Sequence, residues 1–292
     1  MMVFIWNVRG LGQPSKKAAI TTFSSKYSST ILALLETKLP DPNLQLIHRV
    51  WGRRPCQWIV LLANGALGGI WVVWDPSDLT LNSHLLGKFS VTLLSNISDG
   101  VPWKFIVVYG PNSRTLRHSF WAEQDHVSSL PHPIWCRNFS TSISQEMRDF
   151  SDFICRNELL DVPLQGCQYT WSNYSTNPTF SKLYRFLLSV DWEENFLRTL
   201  SLALPKPTSD HCPILLDTNA ITRGLRPSAL NSTGCKKHPF IHLSKPGGVL
   251  LHPRCPAKLA TSHRPNSNSL NQPSKFGATP PLTISPKSSL LC

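Results

Sequence analysis

The stretch Val3-Phe4-Ile5-Trp6-Asn7-Val8-Arg9-Gly10 begins as an apolar run and ends in polar residues. β-Branched and aromatic residues bounded by glycine are typical of a short strand, so we expect a strand over residues 3–8. The same arrangement returns through the first 217 residues of the chain. Further strands of this kind are expected at residues 58–63, 69–74, 89–94, 103–109, 168–171 and 183–188.

Helical spacing of apolar residues appears between several of these strands. The first predicted helix spans residues 14–35, and its apolar set comprises Ala18, Ala19, Phe23, Ile31, Leu34 and Leu35. A second helix is indicated by Met147, Phe150 and Ile154, which share one face, and a third by residues 191–200. Strands with helices inserted between them predict an α+β or α/β domain in which sheets pack under flanking helices.

Charge and composition divide the chain into two unlike parts. Residues 1–217 contain all 17 acids and 19 of the 29 Lys and Arg, whereas residues 218–292 contain 10 Lys and Arg and no acid. All 10 Trp precede residue 193, and so many aromatic residues exclude a collagen, a coiled coil or a wholly disordered chain. We therefore predict a globular domain over 1–217 and a basic, Pro- and Ser-rich tail over 218–292 that is mostly disordered.

No segment has the pattern of a secretory signal or a membrane span. The most apolar stretch, residues 57–74, is interrupted by Asn64-Gly65, a pair typical of a hairpin turn. The 8 Cys include no Cys-x-x-Cys pair, which favours reduced thiols in an intracellular protein of the nucleus or cytoplasm. Zinc-like spacings occur in the tail, but without an apolar scaffold around them, and involve Cys235, His238, His242, His252 and Cys255.

Short polar clusters follow the predicted strands in a fixed order along about 210 residues. They are Trp6-Asn7-Val8-Arg9-Gly10, Glu36-Thr37-Lys38, Tyr109-Gly110-Pro111-Asn112, Arg137-Asn138-Phe139-Ser140, Gln168-Tyr169-Thr170-Trp171, Leu183-Tyr184-Arg185-Phe186 and Ser209-Asp210-His211-Cys212-Pro213. A single cluster of this kind is a weak signal, but seven in order are not. A Trp that closes a strand, such as Trp171, is more often a core residue than a DNA contact.

Together these clusters resemble the endonuclease/exonuclease/phosphatase superfamily, and are most similar to the endonuclease domain of plant LINE-type (non-LTR) retrotransposons. The resemblance covers residues 3–217 and implies a DNase I-like α+β fold, a four-layer α/β/β/α sandwich with its site where strand-end loops converge. It also implies a hydrolase that cuts DNA phosphodiesters with Mg²⁺, in the retroelement to prime reverse transcription. No other cofactor, no membrane and no particular oligomeric state is implied.

The resemblance assigns roles to individual residues. Glu36 is the metal-binding carboxylate, with Asn7 and Asp210 close to the metal or the phosphate. Such a site suits Mg²⁺, which prefers oxygen ligands and retains waters. His211 and Tyr109 would donate hydrogen bonds to the phosphoryl oxygens as charge develops on them.

The sequence departs from the family pattern at catalytic positions. Asn138 stands where the family has the Asp that activates water, and an amide cannot accept a proton near neutral pH. Ser140 replaces the Asn beside it, and Tyr184 replaces the Asp that pairs with the catalytic His. The segment 140–147 is about ten residues shorter than in the family. These departures predict a degenerate copy, inactive or weakly active.

The family pattern stops abruptly after residues 223–227. Beyond them the chain has neither acids nor Trp, which is what a shift of reading frame would produce. We therefore hypothesise that residues 228–292 are translated out of frame, a hypothesis that would be contradicted if neither alternative frame of the coding DNA encoded acid- and Trp-rich family sequence.

Two further functions remain open from the sequence alone. A non-catalytic nucleic-acid binder could use the residual groove together with the basic tail, although the tail has almost no aromatic residues for stacking on bases. A sugar-phosphate or lipid phosphatase of the same superfamily is the other. Cys212 after His211, and the Glu36-Thr37-Lys38 triplet, favour the retroelement branch over such a phosphatase.

Overall fold

The computed structural model describes residues 1–63, 68–96, 102–111, 113–130, 134–140, 146–196, 198–219 and 283–285. In chain order, the strands are β1 Met2–Asn7, β2 Ile31–Leu35, β3 Gln57–Leu61, β4 Ile70–Trp74, β5 Leu81–Leu86, β6 Ser90–Asn96, β7 Pro102–Val108, β8 Ile134–Ser140, β9 Leu160–Asp161, β10 Leu164–Gln165, β11 Trp171–Ser172, β12 Phe180–Ser181, β13 Tyr184–Leu188, β14 Leu200–Ala203, β15 Ile214–Asp217 and β16 Thr283–Ser285. The helices are α1 Pro14–Lys26, α2 Leu44–Trp51, α3 Arg117–Ser128, α4 Glu146–Arg156 and α5 Val190–Asn195, with a 3₁₀ turn at Arg114–Leu116.

Two seven-stranded sheets form the centre of the domain. The first has the order β10-β14-β15-β1-β2-β4-β3, and the second has the order β16-β5-β6-β7-β8-β13-β9. Neighbouring strands are mostly antiparallel, but β1 pairs with β2, β7 with β8, and β10 with β14 in parallel. Strands β11 and β12 form a separate small hairpin.

Three apolar cores hold four layers together. Between the sheets, inward residues such as Ile5 and Val72 of the first sheet pack with Phe105 and Phe186 of the second. Helices α1 and α2 cover the outer face of the first sheet, and α3 and α4 cover that of the second. The layers are therefore helix, sheet, sheet and helix, as the sequence predicts.

The predicted helix over residues 14–35 is wrong in its second half. Helix α1 ends at Lys26, and Ile31–Leu35 form β2, in which every residue is buried. Ile31, Ala33 and Leu35 of β2 lie in the core between the two sheets. Leu32 and Leu34 lie in the core under α1 and α2, so both faces of the strand are covered. A strand apolar on both faces has no alternation, and its residues matched helical spacing by coincidence.

Other boundaries also differ from prediction. The third helix ends at Asn195 and Leu200 begins β14, whereas of residues 168–171 only Trp171 lies in a strand. The hairpin over residues 57–74 is confirmed, because β3 and β4 pair in antiparallel register, although the predicted turn residues Asn64 and Gly65 lie outside the described residues.

The tail contributes little to the described part of the molecule. Three of its residues, Thr283–Ser285, form β16 at the edge of the second sheet against β5. The predicted disorder, the five zinc-like Cys and His residues and the hypothetical frameshift all concern residues that otherwise lie outside the described ranges. No helix in those ranges is both long enough and apolar enough to cross a membrane.

Candidate functional site

The candidate site begins where β1 and β2 end. These strands are parallel with Asn7 opposite Leu35, so Asn7 at the end of β1 lies beside Glu36, which directly follows β2. The Asn7 Nδ2 donates a hydrogen bond to Glu36 Oε1 over 2.6 Å, and Asn7 Oδ1 accepts one from the backbone N–H of Arg9 over 3.0 Å. Asn7 therefore fixes the orientation of the Glu36 carboxylate.

The loops after these strands are bonded to each other through the backbone. The N–H of Gly10 donates to the Glu36 carbonyl over 2.6 Å, and the N–H of Lys38 donates to the Gly68 carbonyl over 3.0 Å. Arg9, Glu36 and Lys38 all have positive φ angles, of 44°, 53° and 53°. Since L residues rarely adopt this conformation, the loops hold these side chains against a local conformational cost.

Gly68 provides the space that Glu36 occupies. A Cβ placed on Gly68 would lie 2.7 Å from Cγ of Glu36 and 2.8 Å from its Cα. Rotation of the Glu36 side chain could relieve the first contact but not the second, which involves the backbone. A residue larger than glycine at position 68 would therefore displace the loop that carries Glu36.

Tyr109 follows β7 and approaches Glu36 from the second sheet. Burial raises the pKa of the Tyr109 hydroxyl, and the charge of Glu36 and a hydrogen bond to it act in the same direction. Tyr109 is therefore a protonated hydroxyl at neutral pH. Lys38 also lies beside Glu36, with its Nζ 3.6 Å from Oε2 of the carboxylate.

Asp210 forms the second half of the site and is bonded from two directions. Arg9 Nη1 donates to Oδ2 over 2.5 Å, and the indole Nε1 of Trp171 donates to the same oxygen over 2.8 Å. Burial alone would raise the pKa of Asp210. The two hydrogen bonds, and attraction to the His211 ring when acid protonates it, outweigh burial, so the pKa is lowered. Asp210 is thus a carboxylate at neutral pH.

His211 is enclosed and only 5% exposed. Burial lowers its pKa to about 4, even though Asp210 and Glu36 favour the protonated form. Its Nε2 lies 3.6 Å from Oδ1 of Asp210, whereas its Nδ1 is buried and has no hydrogen-bond partner among the described residues. The Tyr184 ring packs edge-on against the imidazole, with the ring centroids 5.3 Å apart. His211 is therefore a neutral imidazole packed against an aromatic ring.

The structure connects the two halves of the site. Ser209 Oγ donates to the Asn7 carbonyl over 3.0 Å, and Arg9 spans from the end of β1 to Asp210. Six predicted site residues are therefore linked by contacts: Asn7, Glu36, Tyr109, Tyr184, Asp210 and His211. The remaining two, Asn138 and Ser140, lie in β8 opposite Phe186 and Tyr184 of β13, and their side chains are outside the described part of the molecule.

Several residues of the site were not assigned a role from the sequence. Lys16 of α1 is buried and its Nζ donates to the carbonyls of Val8, Arg9 and Gly10, over 2.7, 3.2 and 3.1 Å. The sequence signal that could have identified Lys16 is its spacing four residues before Ile20, which places both residues on the buried face of α1. Trp171, predicted to be a core residue, is only half-buried, and its indole N–H donates a hydrogen bond to Asp210.

The donor set fits a magnesium ion better than a metal held wholly by protein. Among the described residues, no group of three or more His, Cys, Asp and Glu could hold a metal ion. Magnesium is commonly bound by one or two carboxylates together with waters and substrate phosphates, so Glu36 alone would suffice as the protein ligand. Asn7 positions Glu36, and its oxygen already accepts the Arg9 N–H.

Comparison with known proteins gives the fold. No family model and no curated protein matches the sequence. An AP endonuclease from Archaeoglobus fulgidus has a TM-score of 0.54 at 14% identity, over 75% of this chain and 99% of that one. AP endonuclease LMAP from Leishmania major has a TM-score of 0.52 at 16% identity, over 74% and 86%. The endonuclease domain of TRAS1, a telomere-specific non-LTR retrotransposon, has a TM-score of 0.53 at 10% identity, over 74% and 97%.

These likenesses confirm the predicted fold class. The chain has the α+β sandwich fold of these three neighbours, and it covers 86–99% of their length. Sequence identities of 10–16% support a shared fold but do not show a shared activity.

Proposed function

We propose that this chain is a degenerate copy of the endonuclease domain of a plant LINE-type retrotransposon. Its ancestor nicked DNA with Mg²⁺, and the present chain keeps the metal- and phosphate-binding half of the site without efficient cleavage. The observation that carries this proposal is the environment of His211, a neutral imidazole whose buried Nδ1 has no hydrogen-bond partner among the described residues.

The retained half of the site supports phosphate recognition. Glu36 would hold the ion, which when bound supplies charge that stabilises the phosphoryl oxygens. Tyr109 is kept protonated by burial, and its one O–H, which bonds Glu36 in this structure, could instead be donated to a phosphate oxygen. Arg9 and Lys38 have side chains 52% and 56% exposed beside Asp210 and Glu36, so both can turn toward a backbone phosphate.

The lost half explains why cleavage is impaired. An attacking water must give up a proton, and the amide of Asn138 cannot take it. A histidine that stabilises charge on a phosphate needs a partner at its second nitrogen to fix its tautomer and support its cation. Tyr184 instead packs its aromatic ring against His211, and burial of the imidazole favours its neutral form.

A plasmid-nicking assay tests the proposal. The native chain with Mg²⁺ and supercoiled DNA is expected to nick no faster than its Glu36→Ala variant. The repaired variant carrying Asn138→Asp and Tyr184→Asp is expected to nick at least about 10²-fold faster, the smallest usual contribution of a general base. Adding Glu36→Ala to the repaired variant is the matched control and is expected to abolish this gain.

Two outcomes would contradict the proposal. Nicking by the native chain that depends on Glu36 would mean that cleavage survives without the two carboxylates. A repaired variant that is folded by circular dichroism, and binds DNA, yet never nicks would mean that these two substitutions are not the lesion.

A second candidate function is nucleic-acid binding without cleavage, assisted by the tail. The exposed cations Arg9 and Lys38 at the site favour it, and the tail adds 10 Lys and Arg without any acid. This function predicts salt-sensitive DNA binding that is lost when residues 220–292 are deleted. Binding that survives the deletion and requires Mg²⁺ and Glu36 would favour the first proposal instead.

A further inference from the structure

Two cysteine side chains converge on one backbone oxygen beside His211. The Sγ of Cys167 lies 2.9 Å from the carbonyl oxygen of Tyr169, and the Sγ of Cys212 lies 3.7 Å from the same atom. The two sulfurs therefore cannot be farther apart than these two distances together. Neither sulfur is in a disulfide in this structure.

Hydrogen bonds hold together the two backbone segments that carry the cysteines. The N–H of Cys212 donates to the Thr170 carbonyl over 2.7 Å, and Trp171 and His211 form an antiparallel bridge. Residues 170–171 and 211–212 are thus neighbours across a two-strand pairing. Side-chain rotation within this frame would have to bring the sulfurs to about 2.05 Å for a disulfide to form.

The two thiols differ in exposure, which suggests an order of reaction. Cys167 is half-buried and can meet a small oxidant, whereas Cys212 is 4% exposed and is reached from within the protein. Cys155 on α4 is exposed, and Cys56 is buried in the core between the first sheet and its helices. Among these four cysteines, Cys167 and Cys212 are the pair with a shared acceptor atom and a backbone pairing beside it.

We propose that Cys167 and Cys212 are a peroxide-sensitive pair that forms an intramolecular disulfide. The Cys167 thiol releases its proton, the thiolate attacks one oxygen of hydrogen peroxide, and the O–O bond breaks. The leaving hydroxide takes up a proton, so the products are a sulfenic acid and water. The Cys212 sulfur then displaces the sulfenic oxygen as a second water, and the S–S bond forms. Two thiols are oxidised, one peroxide is reduced, and two waters are released.

The disulfide would link the segment before β11 to the segment before β15, which carries His211. Thr170 already ties this region to the second sheet, because its Oγ1 accepts from the N–H groups of Leu183 and Tyr184 over 2.8 and 3.0 Å. A disulfide between Cys167 and Cys212 would add a covalent restraint to the hydrogen bonds that Thr170 already makes with Leu183, Tyr184 and Cys212. The inference concerns thiol chemistry and holds whether or not the chain cuts DNA.

The test is oxidation of the full chain with stoichiometric hydrogen peroxide, followed by intact mass and peptide mapping without reductant. The expected result is a loss of about 2 Da, a linked pair of peptides that contain Cys167 and Cys212, and recovery of the original mass with dithiothreitol. The melting temperature is expected to rise on oxidation and to return on reduction, because the link constrains the unfolded chain.

Two variants sharpen the result. Cys155→Ser removes the exposed thiol of α4 and is expected to leave the linked peptides unchanged. Cys167→Ser, at a half-buried position that tolerates a small change, is expected to abolish them. The inference is overturned if the native chain, oxidised while folded, shows Cys167 as a sulfinic or sulfonic acid, or linked to a different cysteine, with Cys212 still able to be alkylated after denaturation.

Discussion

Glu36 depends on the absence of a side chain at residue 68. A methyl group there would overlap the backbone of Glu36 as well as its side chain. We expect Gly68→Ala to lower the free energy of unfolding by about 1–3 kcal/mol, a usual cost of overpacking. Urea denaturation measures this change, and Mg²⁺ binding followed by thermal shift tests whether Glu36 has moved.

Gly12 offers a matched control for this substitution. A Cβ on Gly12 meets nothing within 4 Å, so Gly12→Ala is expected to leave the stability within experimental error. Equal effects of the two substitutions would contradict the close approach of Gly68 and Glu36.

The depressed pKa of His211 makes the stability of the protein fall in acid. Its pKa is about 4 in the folded protein and ordinarily 6.5, so between these values the unfolded chain binds a proton that the folded protein does not. The contribution of His211 to the free energy of unfolding is therefore fully present above pH 6.5. It decreases as the pH falls toward 4, by about 3 kcal/mol in all. Urea unfolding at a series of pH values measures this loss.

Comparison with His211→Gln isolates the histidine from other acid-sensitive groups. The stability of this variant is expected to fall less steeply over the same pH range. Tyr184→Asp should raise the pKa of His211, measured by NMR titration, because a carboxylate would then face the imidazole. Parallel stability curves for the native chain and His211→Gln would contradict the assignment.

The sequence predicted the polar residues of the site better than the residues that position them. Asn7 ends β1, Glu36 directly follows β2 and Asp210 precedes β15, each within a recognisable cluster. In the structure, hydrogen bonds of Asn7, Ser209 and Arg9 link the three. Gly68 carries no such signal, since its effect depends on the backbone of Glu36, which is distant in sequence. The only signal for Lys16 is its position on the buried face of α1. Packing against a neighbour distant in sequence is not encoded in local spacing.

At the level of elements, α1 is joined to the site by a single lysine. Lys16 Nζ donates to three carbonyls of the loop after β1, in a position shielded from water. We expect Lys16→Met to lower the free energy of unfolding by about 1–3 kcal/mol, because buried carbonyls would lose their donor. Chemical denaturation tests this expectation.

The neighbouring Lys17 serves as the control, since it lies on the same helix without a side-chain hydrogen bond to the loop among those described. Lys17→Met should change the stability by less than about 0.5 kcal/mol. If Lys16→Met is equally mild, the loop does not depend on its ammonium group.

The elements that were mispredicted share a physical cause. Strand β2 is covered on both faces, so its five apolar residues give neither an alternating nor a helical signal that can be trusted. Strands β14 and β15 are only four residues long. They gain their structure by pairing with each other, and β15 pairs with β1 as well. Short and fully buried strands are defined by their neighbours in the sheet.

At the level of the whole molecule, the three apolar cores formed by the described residues lie within residues 1–219. We expect a chain that ends at Asn219 to fold with a circular dichroism spectrum and a single cooperative thermal transition like those of the full chain. Its loss of β16 removes one edge strand and none of the residues of the three cores. A non-cooperative transition would contradict the predicted domain boundary near residue 217.

The pairing of β1 with β15 has a consequence for synthesis of the protein. Met2 lies opposite Asp217, so during synthesis β1 meets one of its partners only after more than 200 residues have followed it. Until then, the edge of β1 that faces β15 offers unpaired backbone groups to other chains. Translation that stops before Ile214 would therefore release a product prone to aggregation, and growth at lower temperature or a chaperone that shields strand edges should improve the yield of intact protein.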